Sequence, residues 1–171
     1  MVEVLIPNTR IETAKPILFL AGPIQGTLNW RQTAIENISS LSDAFLIVSP
    51  SGRLSFDQKD IKIIPSQKDF EHQREWENHY LDKASRHGTI LFWLPGETEH
   101  SCQKSYGAMT RVELGEWITE RKYNPSINLI IGTDGNFSEF KTIRRDINQK
   151  IPNLVIYQTL EEVCQKATKT I

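Results

Sequence analysis

Short, nearly continuous apolar runs alternate with longer amphipathic stretches along this chain, and that alternation limits the folds open to it. Pro16 to Ala21 (PILFLA), Ala44 to Val48 (AFLIV), Thr89 to Leu94 (TILFWL), Ile127 to Ile131 (INLII) and Asn153 to Tyr157 (NLVIY) read as strands. A strand apolar at almost every position, rather than at every second one, suits a sheet covered on both faces. Between the strands the period changes to that of helices. The first helix is expected from Trp30 to Leu41, with Ala34, Ile35, Ile38 and Leu41 on one face, and the second from Gln67 to Ala84, where Ser66 and Asp69 resemble a capping box. A third begins at Thr110, a fourth lies between Ser138 and Gln149, and the last follows Thr159, with Glu162 placed for another capping box. The order β-α-β-α-β-α-β-α-β-α implies right-handed crossovers and a three-layer α/β fold around a five-stranded parallel sheet. Only Ser49 to Pro65 breaks the rhythm, and its Pro, Gly and Ser residues read as a long excursion between the second strand and the second helix.

Composition narrows the function classes. The 171 residues fit one domain spanning 1–171, with 39% hydrophobic and 24% charged residues as in ordinary globular chains. Twenty Lys plus Arg against 21 Asp plus Glu, spread along the chain, leave a net charge of -1. Such a balance lacks the basic stripe that displaces phosphate counterions, so no nucleic-acid polymer is expected as partner. The apolar runs are far shorter than a bilayer span, and MVEVLIPNTRIE lacks the pattern of a secretory signal, so a cytoplasmic protein with no membrane partner is expected. Cys102 and Cys164 supply neither a disulfide framework nor a metal quartet, and His72, His79, His87 and His100 form no HExxH pattern.

In an open parallel sheet, ligands bind beyond the C-terminal strand ends, near the point where strand order reverses. The segments that follow the first three strands should therefore meet: Gly22-Pro23-Ile24-Gln25-Gly26, Pro50-Ser51-Gly52-Arg53, and Pro95 to Met109 leading into Thr110-Arg111-Val112-Glu113. The glycine loop matches neither the dinucleotide fingerprint nor the phosphate loop, so no nicotinamide or ATP cofactor is implied, and it reads equally as a tight strand-to-helix turn. Glu113 has two readings. It either closes a capping box with Thr110 and shares a solvated stripe with Glu116 and Glu120, or points into the cleft as a nucleophile kept ionised by the helix dipole. Glu77 shares a stripe with Phe70, Gln73, Leu81 and Ala84 that should face the sheet, where burial would raise its pKa toward acid/base use. The alternative is a structural carboxylate paired with Arg53 or Arg74. Trp30, Trp76, Trp93 and Trp117 suit the core, although Trp30 follows the glycine loop and is placed to stack on a base.

Taken together, Ile17 to Gln25 (ILFLAGPIQ), Trp30-Arg31, Ser49 to Arg53 (SPSGR), Gln73 to Glu77 (QREWE), Thr89 to Pro95 (TILFWLP) and Val112 to Gly115 (VELG) resemble the nucleoside 2-deoxyribosyltransferase-like proteins over residues 16 to 132. The resemblance implies a flavodoxin-like (Rossmann-like) fold and cleavage or transfer at the N-glycosidic bond of a nucleoside or nucleotide. It implies that Glu113, in the ELG motif, is the nucleophile and that Glu77 takes the place of the carboxylate that handles the base. Gly22, Pro23, Ile24, Gln25, Trp30, Arg53 and Met109 would bind substrate, with no cofactor or metal. The family also implies a homo-oligomer whose neighbouring subunits complete the site. One departure stands out: where the better-studied transferases carry a further aspartate before the nucleophile, this chain has Gly107-Ala108-Met109. Three functions follow: an N-glycosidic enzyme, a catalytically weak nucleotide-binding sensor or effector module, and a structural subunit using a Trp-rich surface.

Overall fold

The computed structural model describes residues 1–57 and 59–170. Among the described residues seven parallel strands form one sheet: β1 (Val2–Leu5), β2 (Ile17–Ala21), β3 (Leu46–Val48), β4 (Ile61–Ile64), β5 (Gly88–Leu94), β6 (Leu129–Thr133) and β7 (Ile156–Tyr157), in the order β4-β1-β3-β2-β5-β6-β7. The expected strands are β2, β3, β5, β6 and β7, and their order within the sheet is that of a flavodoxin-like fold. Five strands is an undercount, because β1 and β4 extend the sheet beyond β3. Each has only four residues, and the partners of β1 lie far along the chain, as in Leu5 opposite Val48 and Ile64, so no local pattern marks either strand. The Ser49 to Pro65 excursion therefore contains a strand; Gln58 within it lies outside the described residues.

Helices cover both faces. On one, α1 (Trp30–Leu41) packs with α5 (Leu160–Lys169) over Leu18, Leu20, Leu91 and Trp93. On the other, α2 (Gln73–Arg86), α3 (Ala108–Tyr123) and α4 (Phe140–Lys150) cover Ile17, Phe19, Ile90, Phe92 and Leu94. Alternate residues of β2 and β5 thus enter opposite layers, and every one of them except Gly88 is buried.

Helix starts differ from expectation in two places. Asp69 does not cap α2: its Oδ2 accepts a hydrogen bond from Arg10 N at 2.7 Å, and the helix begins at Gln73 after His72. The third helix begins at Ala108, with Gly107 in the left-handed conformation at its N-cap, so Thr110 lies inside the helix and forms no capping box with Glu113. The box at Thr159 and Glu162 is present. Among the described residues no helix is long and apolar enough to cross a membrane.

Two glycines test this architecture. A Cβ on Gly88 would lie 2.0 Å from the Ile17 carbonyl oxygen in the adjacent strand, whereas one on Gly115, inside α3, meets nothing within 4 Å. Gly88→Ala is expected to destabilise the protein by about 3 kcal/mol and Gly115→Ala to stabilise it by about 0.5–1 kcal/mol. Denaturant midpoints for the two variants check both signs.

Candidate functional site

The order reverses between β2 and β5, whose chain continuations leave in opposite directions across the sheet. Beyond their C-terminal ends lies a cleft of about 1020 Å³, walled by the segments after β2, β3 and β5 and by the first two turns of α2 and α3. Gly22, Pro23, Ile24, Gln25, Arg53, Glu77, Met109 and Glu113 all line it. Gly22 has φ +144°, and a Cβ there would lie 2.3 Å from the Trp93 carbonyl oxygen, so only glycine lets the loop leave β2 this close to β5.

Trp30 is not on the cleft wall. It is 5% exposed and its indole N–H donates to the Pro23 carbonyl at 3.0 Å, so it holds the glycine loop from behind instead of stacking on a base. All four tryptophans are buried, which removes the Trp-rich surface required for a structural subunit.

Arg31 carries no separate role in the sequence pattern, yet it is central here. Only 2% exposed, it donates from Nε to Leu20 O at 3.2 Å, from Nη1 to Pro23 O at 2.9 Å and from Nη2 to Gly22 O at 2.6 Å. Burial pulls its pKa down to about 9, against the opposing pull of Glu113 and Glu77, so it stays charged at neutral pH. The signal is present in the spacing: Arg31 shares the core-facing stripe of Ala34, Ile35 and Ile38, where an arginine needs buried partners.

Glu113 and Glu77 come together around Arg74. Glu113 is 8% exposed, whereas Glu116 and Glu120 on the same helix face are exposed, so the solvated-stripe reading fits only the latter two. Arg74 Nη1 pairs with Glu113 Oε1 and lies 3.5 Å from Glu77 Oε2. Gln73 Nε2 donates to Glu77 Oε1 at 2.8 Å and to Pro50 O at 2.9 Å, which ties α2 to the segment after β3. Burial pushes the Glu113 carboxyl up to about 7, with Glu77 adding to the rise, while Arg74 and Arg31 oppose it. The helix dipole does not hold Glu113 in the ordinary carboxylate range, against the one of its two readings that had the dipole keep it ionised. Desolvation wins because the carboxylate sits under protein and not at an open helix end.

The segment between β5 and α3 closes the remaining side. Thr98 N and Glu99 N both donate to Gly26 O, at 2.8 and 3.2 Å, and the Tyr106 hydroxyl donates to Pro95 O at 2.8 Å. Lys104 Nζ donates to Gln25 Oε1 at 3.2 Å across the mouth. Among the described residues no group of three or more His, Cys, Asp or Glu is arranged to hold a metal ion.

The family model described as nucleoside 2-deoxyribosyltransferase like matches residues 15–127, well over half of the chain and the stretch from β2 through α3 that builds the cleft. The chain belongs to the nucleoside 2-deoxyribosyltransferase-like family. Among solved structures, a conserved protein from Enterococcus faecalis V583 is similar, with 13% identity, a TM-score of 0.53, and coverage of 92% of this chain and 100% of that one. At that identity the likeness concerns the fold. Comparison with curated proteins found no match. Family membership makes nucleoside chemistry the context in which this cleft is read.

The buried carboxyl has a measurable consequence. Its folded pKa of about 7 lies above the ordinary 4.5, so the folded state binds the proton more tightly than the unfolded chain. The stability this confers is complete below about 4.5 and is lost as pH rises through about 7, a difference of about 3 kcal/mol. Glu113→Gln lacks this loss. Its stability relative to wild type is therefore expected to climb between pH 5 and pH 8 in denaturant unfolding; a gap constant with pH would refute the assignment.

Proposed function

We propose that this protein cleaves the N-glycosidic bond of a (deoxy)nucleoside or nucleotide through a covalent glycosyl-enzyme on Glu113, with Glu77 as acid/base or substrate-positioning carboxylate. The observation that carries the proposal is that two carboxylates lining the cleft beyond β2 and β5, from different helices, converge on one guanidinium. Family membership supports the nucleoside part of it.

In the first step a Glu113 oxygen bonds to C1′ of the sugar while the C1′–N bond breaks and its electron pair leaves with the base. Positive charge develops on the sugar ring, and an ionised carboxylate held against it lowers the barrier. Glu77 manages the proton that the departing base takes up. A water or a second base then attacks C1′, freeing Glu113 and yielding hydrolysis or transfer. The glycine loop lines the sugar and base side, with Arg53 and Met109 at the rim. Only the ionised nucleophile reacts, so base release rises with pH through about 7.

One observation favours a second reading, that of a catalytically weak nucleotide-binding sensor or effector. Arg74 already engages one oxygen of Glu113, and a cation paired with a carboxylate lowers its nucleophilicity. The two readings part in one assay. Purified protein is incubated with deoxynucleosides, ribonucleosides, their monophosphates and NAD, and free base is followed by chromatography with and without a second base. Base release that falls roughly 10³-fold or more in Glu113→Ala, with ligand affinity retained, is the expected result. Binding without release from any substrate in wild type would favour the sensor.

A further inference from the structure

We propose that Arg74 is the positioning residue that pairs with Glu113 and Glu77 at once and holds Glu113 in place at the cleft wall. The inference rests on the N-glycosidic reading of this site and extends it to a residue outside the cleft lining.

Two carboxylates sharing one wall repel, and without a countercharge one of them keeps a proton. Arg74 Nη1 pairs with Glu113 Oε1 and lies 3.5 Å from Glu77 Oε2, while Nη2 lies 4.0 Å from Glu116 Oε2. The charged groups that act on Glu113 are Arg74 and Glu77 from α2 and Arg31 from α1, and Glu116, one turn further along its own helix, lies near the other end of the Arg74 guanidinium. Arg31 does not take the place of Arg74, because each of its three nitrogens donates to a carbonyl, of Leu20, Pro23 or Gly22, and it acts on Glu113 only through space. Lys104, at the mouth, donates to Gln25.

The start of α2 is well placed for this role. Gln73 anchors the first turn to Pro50 O and holds the far oxygen of Glu77, so the guanidinium sits between two fixed acceptors. A planar fork suits that seat, whereas a lysine ammonium offers a point charge on a more flexible stem. Arg74 is about one third exposed, and its second terminal nitrogen faces the exposed Glu116.

The test uses carbon-13 carboxyl resonances, with Glu113 assigned by loss of its signal in Glu113→Gln. They are titrated in wild type, Arg74→Ala and Arg74→Lys, and folding is verified by circular dichroism. In Arg74→Ala the Glu113 midpoint should rise by about one pH unit or more, with Arg74→Lys between the two. The rising limb of base release should follow it: the rate at pH 6 falls about tenfold for each pH unit by which the midpoint rises, and recovers above the new midpoint, with KM little changed. A Glu113 titration that does not move in folded Arg74→Ala would overturn the proposal. So would a loss of rate that is uniform across pH, since that describes a structural arginine. Should Arg74→Ala fail to fold, Arg74→Lys carries the same test. The titration needs no turnover, so a displaced midpoint in a protein that releases no base would sink the glycosidic reading and leave the role of Arg74 standing.

Discussion

Everything around the cleft depends on how the chain leaves β2. A central parallel strand must end somewhere, and its last carbonyls lose their ladder partners where ligands bind. Here the carbonyls of Leu20, Gly22 and Pro23 turn toward one buried guanidinium, that of Arg31, and the Trp30 indole donates to Pro23 as well. A buried charge is tolerable only when its donors are satisfied, and this one is satisfied by the very loop it shapes. Arg31 therefore fixes the glycine loop without blocking it, and its side chain reaches the cleft wall from α1.

That fixed loop decides what else can assemble. Gly26 receives the backbone N–H groups of Thr98 and Glu99, so the segment after β5 folds over the loop and delivers Gly107 to the start of α3. From Ala108 onward the helix carries Glu113 under protein, where desolvation outweighs the attraction of Arg74 and Arg31. From the opposite wall, α2 presents Glu77 and Arg74 through an anchor at Pro50 O. The balance of burial against two guanidinium groups thus sets the state of the carboxyl, and each party comes from a different element.

Much of this is legible in the residues. The continuous apolar runs identify β2, β3, β5, β6 and β7, because strands buried on both faces leave no room for alternation. The helical spacing of Ala34, Ile35 and Ile38 locates α1 at its observed bounds, and the Thr159 and Glu162 pair marks the start of α5. The strands β1 and β4 are not legible, since four residues paired with distant partners carry no periodicity of their own. The start of α2 differs from its local pattern because Asp69 is occupied by Arg10 N, a partner 59 positions away. In the cleft, the glycine loop, Glu77 and Glu113 can be named from residue type and position. Arg31 stands out less, as one half of a two-residue motif, although a charge on an apolar stripe signals a buried role.

What the sequence by itself determined is the layer pattern and the residues that can do chemistry, since hydrophobic periodicity and strand-end position are local properties. Tertiary structure alone decided that the Glu113 carboxyl is desolvated, that Trp30 supports the loop from behind, and that Arg74 stands between Glu113 and Glu77. Burial and electrostatic pairing depend on distances between segments far apart in the chain, and those distances exist only once the sheet has brought the segments together.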